Sequence, residues 1–463
     1  MMKKLLGIVL AGAMVLGLAA CGEASGTPAA ASSGKPASTA ASSEKPAATT
    51  APASTSAKSE TTAPETTITG DASAIKIGAI MVGDATESYT KAHEDGIRAA
   101  AAACGISEDQ IEWKERIEET EDCFDSAKQL VADGCTLIIS NSYGHQDFID
   151  QAAGEFPDVN FVAMTGDFAA ISGKSNLFNA FTHVYESRYV SGVVAGMKLQ
   201  ELIDKDMIPA SGYDADGNIK IGYVGAYPYA EVVSGFTAFF LGIRSVVKNV
   251  AMEVYYTSSW FSIEAEAAAA DVLLKDGCVI IGQHADSTGA PDTVQKAYDN
   301  GTVCFSVGYN VDMLSTAPQA ALTSATNVWA AYYTQLFASV INGTEIKQDV
   351  AYGYADGGVA ITPLGPNVAP GTAEKVAEIE ADLAAGKLQV FDTSTFTVDG
   401  KELTSAPVDF SYMDWATMTP VYVGETIDVI ETDANGVSYF NESYYRSAPY
   451  FSFIIDGITE MNN

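Results

Sequence analysis

The chain is 463 residues long, 47% hydrophobic and 10% aromatic, enough to bury a large core in about two or three domains. Lys and Arg number 25 against 59 Asp and Glu, a formal charge of −34. So acidic a surface argues against nucleic acid and against free binding to anionic lipid, and reads first as solubility outside the cell.

The chain opens on MMKKLLGIVLAGAMVLGLAACGEASG, where Lys3 and Lys4 precede an apolar run that stops at small residues and Cys21. Charge, length and exit chemistry make residues 1–20 a signal peptide. LAAC, Leu18 to Cys21, resembles a bacterial lipobox, so Cys21 is the expected lipidation site. Several acyl chains, at about 0.8 kcal/mol per buried CH₂, would hold the protein on the extracytoplasmic face of the cell membrane. Residues 21–73 are Ala, Ser, Thr and Pro with hardly a large apolar side chain, a disordered tether whose mean reach is roughly 40 Å, suited to crossing a cell wall. The remaining cysteines, Cys104, Cys123, Cys135, Cys278 and Cys304, are widely spaced in apolar surroundings. They read as small core residues with room for one disulfide.

From Ile75 short apolar runs alternate with longer helical patterns. IKIGAIMV, IEWKERI, CTLIISN, VNFVAMTG and NLFNAFTHV read as strands, with helices over 89–103, 123–132 and 146–155 between the earlier ones. The pattern restarts at IKIGYVGAY and continues through AMEVYYTSS, CVIIGQ and VCFSVGY, again with helices between. This is an α/β chain of parallel βαβ units with helices on both faces, in two lobes with a cleft between them. Lobe 1 is expected over 74–183 plus 320–344, and lobe 2 over 184–319 plus 345–395, with the third crossing near 313–323. A strand-rich extension, 396–463, is expected to pack on lobe 2.

Parallel sheets bind ligands beyond the carboxyl ends of their strands. The polar and aromatic residues in phase there are Asp84 and Tyr89; Ser142, Tyr143 and Gly144; Trp260 and Phe261; Gln283, His284 and Asp286; and Tyr309, Asn310 and Asp312. Aromatic faces suit a planar heterocycle, and carboxylates and amides suit its donor and acceptor edge. Asp286 could equally cap the helix that begins near Ser287. His284 reads as a supporting residue behind the ligand and His93 as structural. Glu186 and Arg188 read as an ion pair at the crossover, where Phe181 and His183 could add an edge contact.

The order and spacing of YESRYVSGVVAGM, KIGYVGAYPYAEVVSGFTAFFLGIRSV, SSWFS, GQHADSTG, GYNVDM, LTSATNVW and NGTEI resemble the basic membrane protein family of lipid-anchored solute-binding proteins for ABC importers. The resemblance runs from about Ile75 to Phe391. It implies a type I periplasmic-binding-protein fold, a purine base or nucleoside as ligand, and a permease and an ATPase as partners, with contact to the membrane through the lipid anchor only. QHADST, SSWF and GYNVDM are similar to the branch that takes a free base such as adenine. Where nucleoside binders carry a Lys and an Asp for the ribose, this chain has Asn327 and Tyr309 or Asn310. No cofactor or metal is expected, since no G-x-S-x-G, H-E-x-x-H or Walker loop is present and the four histidines are scattered. A sugar or other small polar solute is the alternative ligand, and a purine hydrolase a remoter one.

Overall fold

The computed structural model describes residues 66–462 apart from 415, 416 and 418. The expected signal peptide, Cys21 and most of the tether lie outside the described residues.

The first series runs β1 (Ile77–Ile80), α1 (Ser88–Cys104), β2 (Ile111–Lys114), α2 (Glu121–Ala132), β3 (Leu137–Ser140), α3 (Gln146–Glu155), β4 (Asn160–Met164) and β5 (Leu177–Thr182). A long helix, α4 (Val184–Asp204), leads to the second series: β6 (Ile219–Gly225), α5 (Ala230–Val246), β7 (Val250–Tyr256), α6 (Ile263–Asp276), β8 (Ile280–Gln283), α7 (Gly289–Asp299), β9 (Phe305–Tyr309) and β10 (Ala321–Asn327). Then follow α8 (Trp329–Asn342), β11 (Asp349–Tyr352), β12 (Val359–Ile361) and α9 (Thr372–Ala384). The tail adds β13 (Pro407–Asp409), β14 (Tyr412–Asp414), β15 (Thr419–Tyr422), β16 (Thr426–Asp428), β17 (Ile430–Thr432), β18 (Ser438–Phe440) and β19 (Ile458–Glu460).

The strands are apolar on both faces because helices cover both. Every residue of β1, β3 and β8 is buried, the signature of a parallel sheet in an α/β protein. The helices begin and end where local chemistry allows. Ser262 accepts the Ala265 N–H at the start of α6, and Gly277 ends it at φ 106°, where an added Cβ would also strike the Ser211 carbonyl at 2.1 Å.

The tail strands β13 to β18 form three two-stranded antiparallel ladders, and the rest form two large sheets, one per lobe. The first has the order β11-β5-β4-β3-β1-β2 and the second β12-β10-β9-β8-β6-β7-β19. All neighbours in these two sheets are parallel except β12, which runs antiparallel to β10. Two expected boundaries are thereby corrected. Strand β10, placed in lobe 1 from the sequence, pairs with β9 in the second sheet, so the chain crosses after Asn327 and not near 313–323. Strand β11, placed in lobe 2, pairs with β5 in the first. Helix α8 packs on the core of lobe 1 through Trp329, Tyr333 and Phe337. The tail shares the core of lobe 2 through Phe396, Phe440 and Phe451, but Tyr412 of β14 joins a core cluster of lobe 1.

Among the described residues the five cysteines are free and buried, no group of His, Cys, Asp and Glu is arranged to hold a metal, and no helix is long and apolar enough to cross a membrane.

Candidate functional site

Each sheet reverses its strand order at one place, between β1 and β3 in lobe 1 and between β6 and β8 in lobe 2. Loops leaving neighbouring strands there run to opposite faces and leave a crevice at the carboxyl ends. The two crevices meet: Ser88 Oγ at the start of α1 donates to the Asp286 carbonyl after β8 at 2.7 Å.

On the lobe 2 side the segment after β8 turns into the crevice. The Asp286 N–H donates to the Trp260 carbonyl at 2.8 Å, and Asn310 Nδ2 donates to Asp286 Oδ1 at 2.9 Å. Asn310 takes φ 60°, a left-handed conformation that Asn tolerates better than most residues, and so brings its amide back over the end of β9. Asn327, last in β10, donates to Asn310 Oδ1 at 2.9 Å and to the Tyr309 hydroxyl at 3.1 Å. Its own Oδ1 accepts from Thr182 Oγ1 of lobe 1 at 2.5 Å. Asp286, Asn310 and Asn327 therefore form one hydrogen-bonded chain across the end of the second sheet, tied to the first lobe at Ser88 and Thr182.

Aromatic rings surround this chain. His284 lies 4.8 Å from Tyr309 and 6.4 Å from Trp260 between ring centroids. Trp260 stands edge-on to Tyr227 at 5.4 Å, and Tyr227 stacks on Tyr229 at 5.2 Å. From lobe 1, Tyr89 donates to the Asn141 carbonyl at 2.5 Å and packs edge-on against His93 at 4.6 Å.

The electrostatics are strongly one-sided. Asp286 is 5% exposed; burial, then the carboxylates Glu87, Glu266 and Glu231, push its pKa well up against the pull of Asn310. Burial holds Glu266 up to about 7. His284 Nε2 lies 3.0 Å from Glu231 Oε1, and burial followed by the Arg188 charge pulls its pKa down to about 4, so the ring is neutral at pH 7. Arg188 is the cation of the cluster: Nη1 donates to the Gln283 carbonyl at 2.5 Å and Cζ lies 3.8 Å over the Tyr309 ring. Its Nε and Nη2 are buried without a partner among the described residues.

The Bmp family, described as ABC transporter substrate-binding protein PnrA-like, matches residues 74–382. The chain belongs to the Bmp family. A purine-binding protein of Brucella abortus is 32% identical over 335 residues, covering 72% of this chain and 87% of its own length. A protein of Haloferax volcanii named as an ABC transporter glucose-binding protein is 29% identical over 267 residues, 58% of this chain and 61% of its own. Both carry names for binding and not for catalysis. Among solved structures, ABC transporter solute-binding proteins of Aeropyrum pernix and Conexibacter woesei superpose with TM-scores of 0.55 and 0.54 at 14% and 18% identity. Each covers 68% of this chain, and 93% and 98% of the respective structure is matched. They share the two-lobed fold.

In this Bmp-family chain the residues expected at the cleft divide into three sets. Tyr89, Trp260, His284, Asp286, Tyr309 and Asn310 are brought together as described. Ser142, Tyr143 and Gly144 form a second set after β3. Ser142 Oγ and the Gly144 N–H both donate to Glu119 Oε1, the latter at 3.2 Å. Tyr143 is 40% exposed and donates to Asp167 at 3.2 Å. Phe261 is 39% exposed beside Trp260.

The third set is engaged within its own loops. Asp84 is engaged by the backbone and hydroxyl of Thr86 and by Arg116, interactions that hold its pKa down to about 2. Gln283 turns into its own loop and donates to the Ala285 and Ser287 carbonyls at 2.7 and 2.9 Å. Asp312 is exposed and caps a short turn by accepting the Leu314 N–H at 2.8 Å. A polar residue that follows a strand has two ordinary uses, ligand contact and loop closure, and these three close loops. The helix-cap role weighed for Asp286 falls instead to Ser287, whose Oγ accepts the Gly289 N–H at 3.1 Å.

Glu87, Glu231 and Glu266 were not legible as site residues. They occupy the first turns of α1, α5 and α6 or the residue before them, where an acidic residue is ordinary helix chemistry. Arg188 does not pair with Glu186, which accepts the Tyr354 N–H at 2.7 Å. A groove lined by Asn160, Ser175, Phe178, Ser339, Thr344 and Gln348 lies at the amino ends of β4 and β5, away from all of these residues.

Proposed function

We propose that the protein captures a free purine base, adenine-like, between its lobes, and hands it to the permease and ATPase of an ABC importer. The carrying observation is the buried Asp286–Asn310 pair flanked by rings. A carboxylate that accepts and an amide that donates match a ring or exocyclic N–H beside a ring nitrogen. Tyr89 and Trp260 supply apolar faces, each base–ring stack being worth about 1 to 3 kcal/mol, while Arg188 covers the Tyr309 ring.

The acidic surroundings support a donor-rich ligand, because an N–H brought to Asp286 favours the ionised form that burial and the carboxylates of Glu87, Glu266 and Glu231 otherwise disfavour. Asn327 supports a base over a nucleoside: both its Nδ2 hydrogens are engaged, so it has no donor and no charge to offer a ribose. The purine-binding relative favours this reading, and the name of the archaeal relative favours a sugar as the second. The lipobox-like LAAC supports Cys21 as the anchor, with a tether on the outer side of the membrane that ends earlier than the expected residue 73, because Thr67, Thr69 and Gly70 are already bonded to Asn342 of α8.

Calorimetric titration with adenine, guanine, hypoxanthine, adenosine and glucose, after stripping carried-over ligand by unfolding, tests the reading. A free base binding at least tenfold more tightly than its nucleoside is expected. Asp286→Ala should weaken base binding by about 1.5 to 3 kcal/mol, roughly ten- to a hundredfold, with the ligand-free melting temperature little changed. Glucose binding with silence toward every purine overturns it.

A further inference from the structure

The tail beyond α9 lies outside the family match, which ends at residue 382, and it is built on one lobe while bonded to the other. On lobe 2, Phe391 and Phe451 stack at 4.5 Å, β19 extends the sheet beside β7, and Asn462 exchanges two 2.8 Å bonds with the Tyr256 backbone. From this base the tail reaches lobe 1 twice. The hairpin β14–β15 sets Tyr412 and Tyr422 against Phe168, at 4.4 and 5.2 Å between centroids. Their hydroxyls donate to Asp147 and Asp150 of α3 at 2.9 and 2.8 Å, and Lys174 donates to the Tyr422 hydroxyl at 2.9 Å. Further along, Arg446 Nη1 lies 3.4 Å from Asp167 and the Ser447 N–H donates to Asp349 at 3.2 Å. Ala448 packs with Phe181, Val184 and Tyr309 where the chain passes between lobes.

The backbone crosses between lobes after Thr182, Asn327 and Tyr352, and such connections can bend. We propose that the tail is an interlobe strap, a fourth connection that limits how far the cleft opens when it is empty. A lobe rotation wide enough to separate α3 from the tail must break both tyrosine–aspartate bonds and the Arg446–Asp167 pair together, and must lift Tyr412 and Tyr422 off Phe168.

The test needs no ligand, so its outcome is independent of what the cleft binds. Spin labels are placed at Ala85→Cys and Glu264→Cys, exposed positions on the two lobes, in the full chain carrying Cys21→Ser; the other cysteines are buried. Pulsed dipolar spectroscopy then reads the interlobe distance in stripped protein. Tyr412→Ser, Tyr422→Ser and Arg446→Gln together should shift the distribution to longer and broader distances than in the chain with the strap intact. Identical distributions overturn the proposal. Should the triple variant misfold, as judged by circular dichroism, Tyr412→Phe, Tyr422→Phe and Arg446→Gln together are read by the same criterion, since they keep the ring packing and remove the three polar links.

Discussion

Glu442 shows how much charge the interior holds. It is 3% exposed, accepts the N–H groups of Tyr450 and Phe451 at 3.1 and 2.9 Å, and is pushed up to about 8 by burial. A carboxyl whose folded pKa exceeds its unfolded value near 4.5 favours the fold fully below pH 4.5, and that contribution is lost as pH rises through 8. His284 and His93, held down to about 4 and about 3 by burial, act in the other direction, since the unfolded chain takes their protons between about pH 6.5 and 4. Replacing Glu442 by Gln leaves one of the two N–H groups facing an amide NH₂, a cost at every pH, but relative to the parent chain the variant should be more stable at pH 9 than at pH 5 by a few kcal/mol, at about 1.4 kcal/mol per pH interval of shift. Urea denaturation at the two pH values checks this, and an equal effect at both would remove Glu442 from the account. At this scale the sequence is legible where a residue's position restricts its use. Tyr309, Asn310 and Asp286 end or follow buried strands and point to the cleft. Arg188 sits in a helix buried on most sides, where periodicity says only that it is enclosed, and its partner Gln283 is 95 residues away.

Helices α4 and α5 meet backbone to backbone. A Cβ on Gly192 would come within 2.2 Å of the Phe239 carbonyl, and one on Gly242 within 2.1 Å of the Tyr189 carbonyl. Backbone cannot swing aside as a side-chain tip can, so Gly242→Ala must push the helices apart and should cost about 1 to 3 kcal/mol. A fall in melting temperature with retained helical content would report it; an unchanged melting temperature would show that the pair relaxes freely. A Cβ on Gly235 would come within 2.9 Å of the His284 ring at Nδ1, which links the packing of α5 to the site. The order of strands and helices was readable along nearly the whole Bmp match, because apolar runs of strand length alternate with helical periods. Which sheet received β10 and β11 was not, because a strand buried on both faces has the same pattern in either lobe. The short strands of the tail are mostly half exposed and gave no register at all.

On the proposed reading both lobes touch one ligand, so binding should stabilise them as a unit. Adenine at a hundred times its dissociation constant should add about 2.7 kcal/mol to unfolding, read as a single shifted urea transition; two transitions, of which only one moves, would mean that the ligand rests on one lobe.

The interleaving of the sheets also fixes an order of events. Strand β11, the edge of lobe 1, is synthesised after β6 to β10 of lobe 2, and β19, the edge of lobe 2, comes at the far end of the tail; Tyr256 beside it meets Asn462 across 206 residues. Neither sheet can be finished from a contiguous stretch: the β5 edge waits for β11, and the β7 edge stays unpaired until the tail arrives. Such loop closures are slow, and slow closure favours export of a chain that has not yet folded. An open edge is also a template for self-pairing. Deletion of residues 458–462 should leave β7 as that edge, and light scattering should detect association that the full chain does not show.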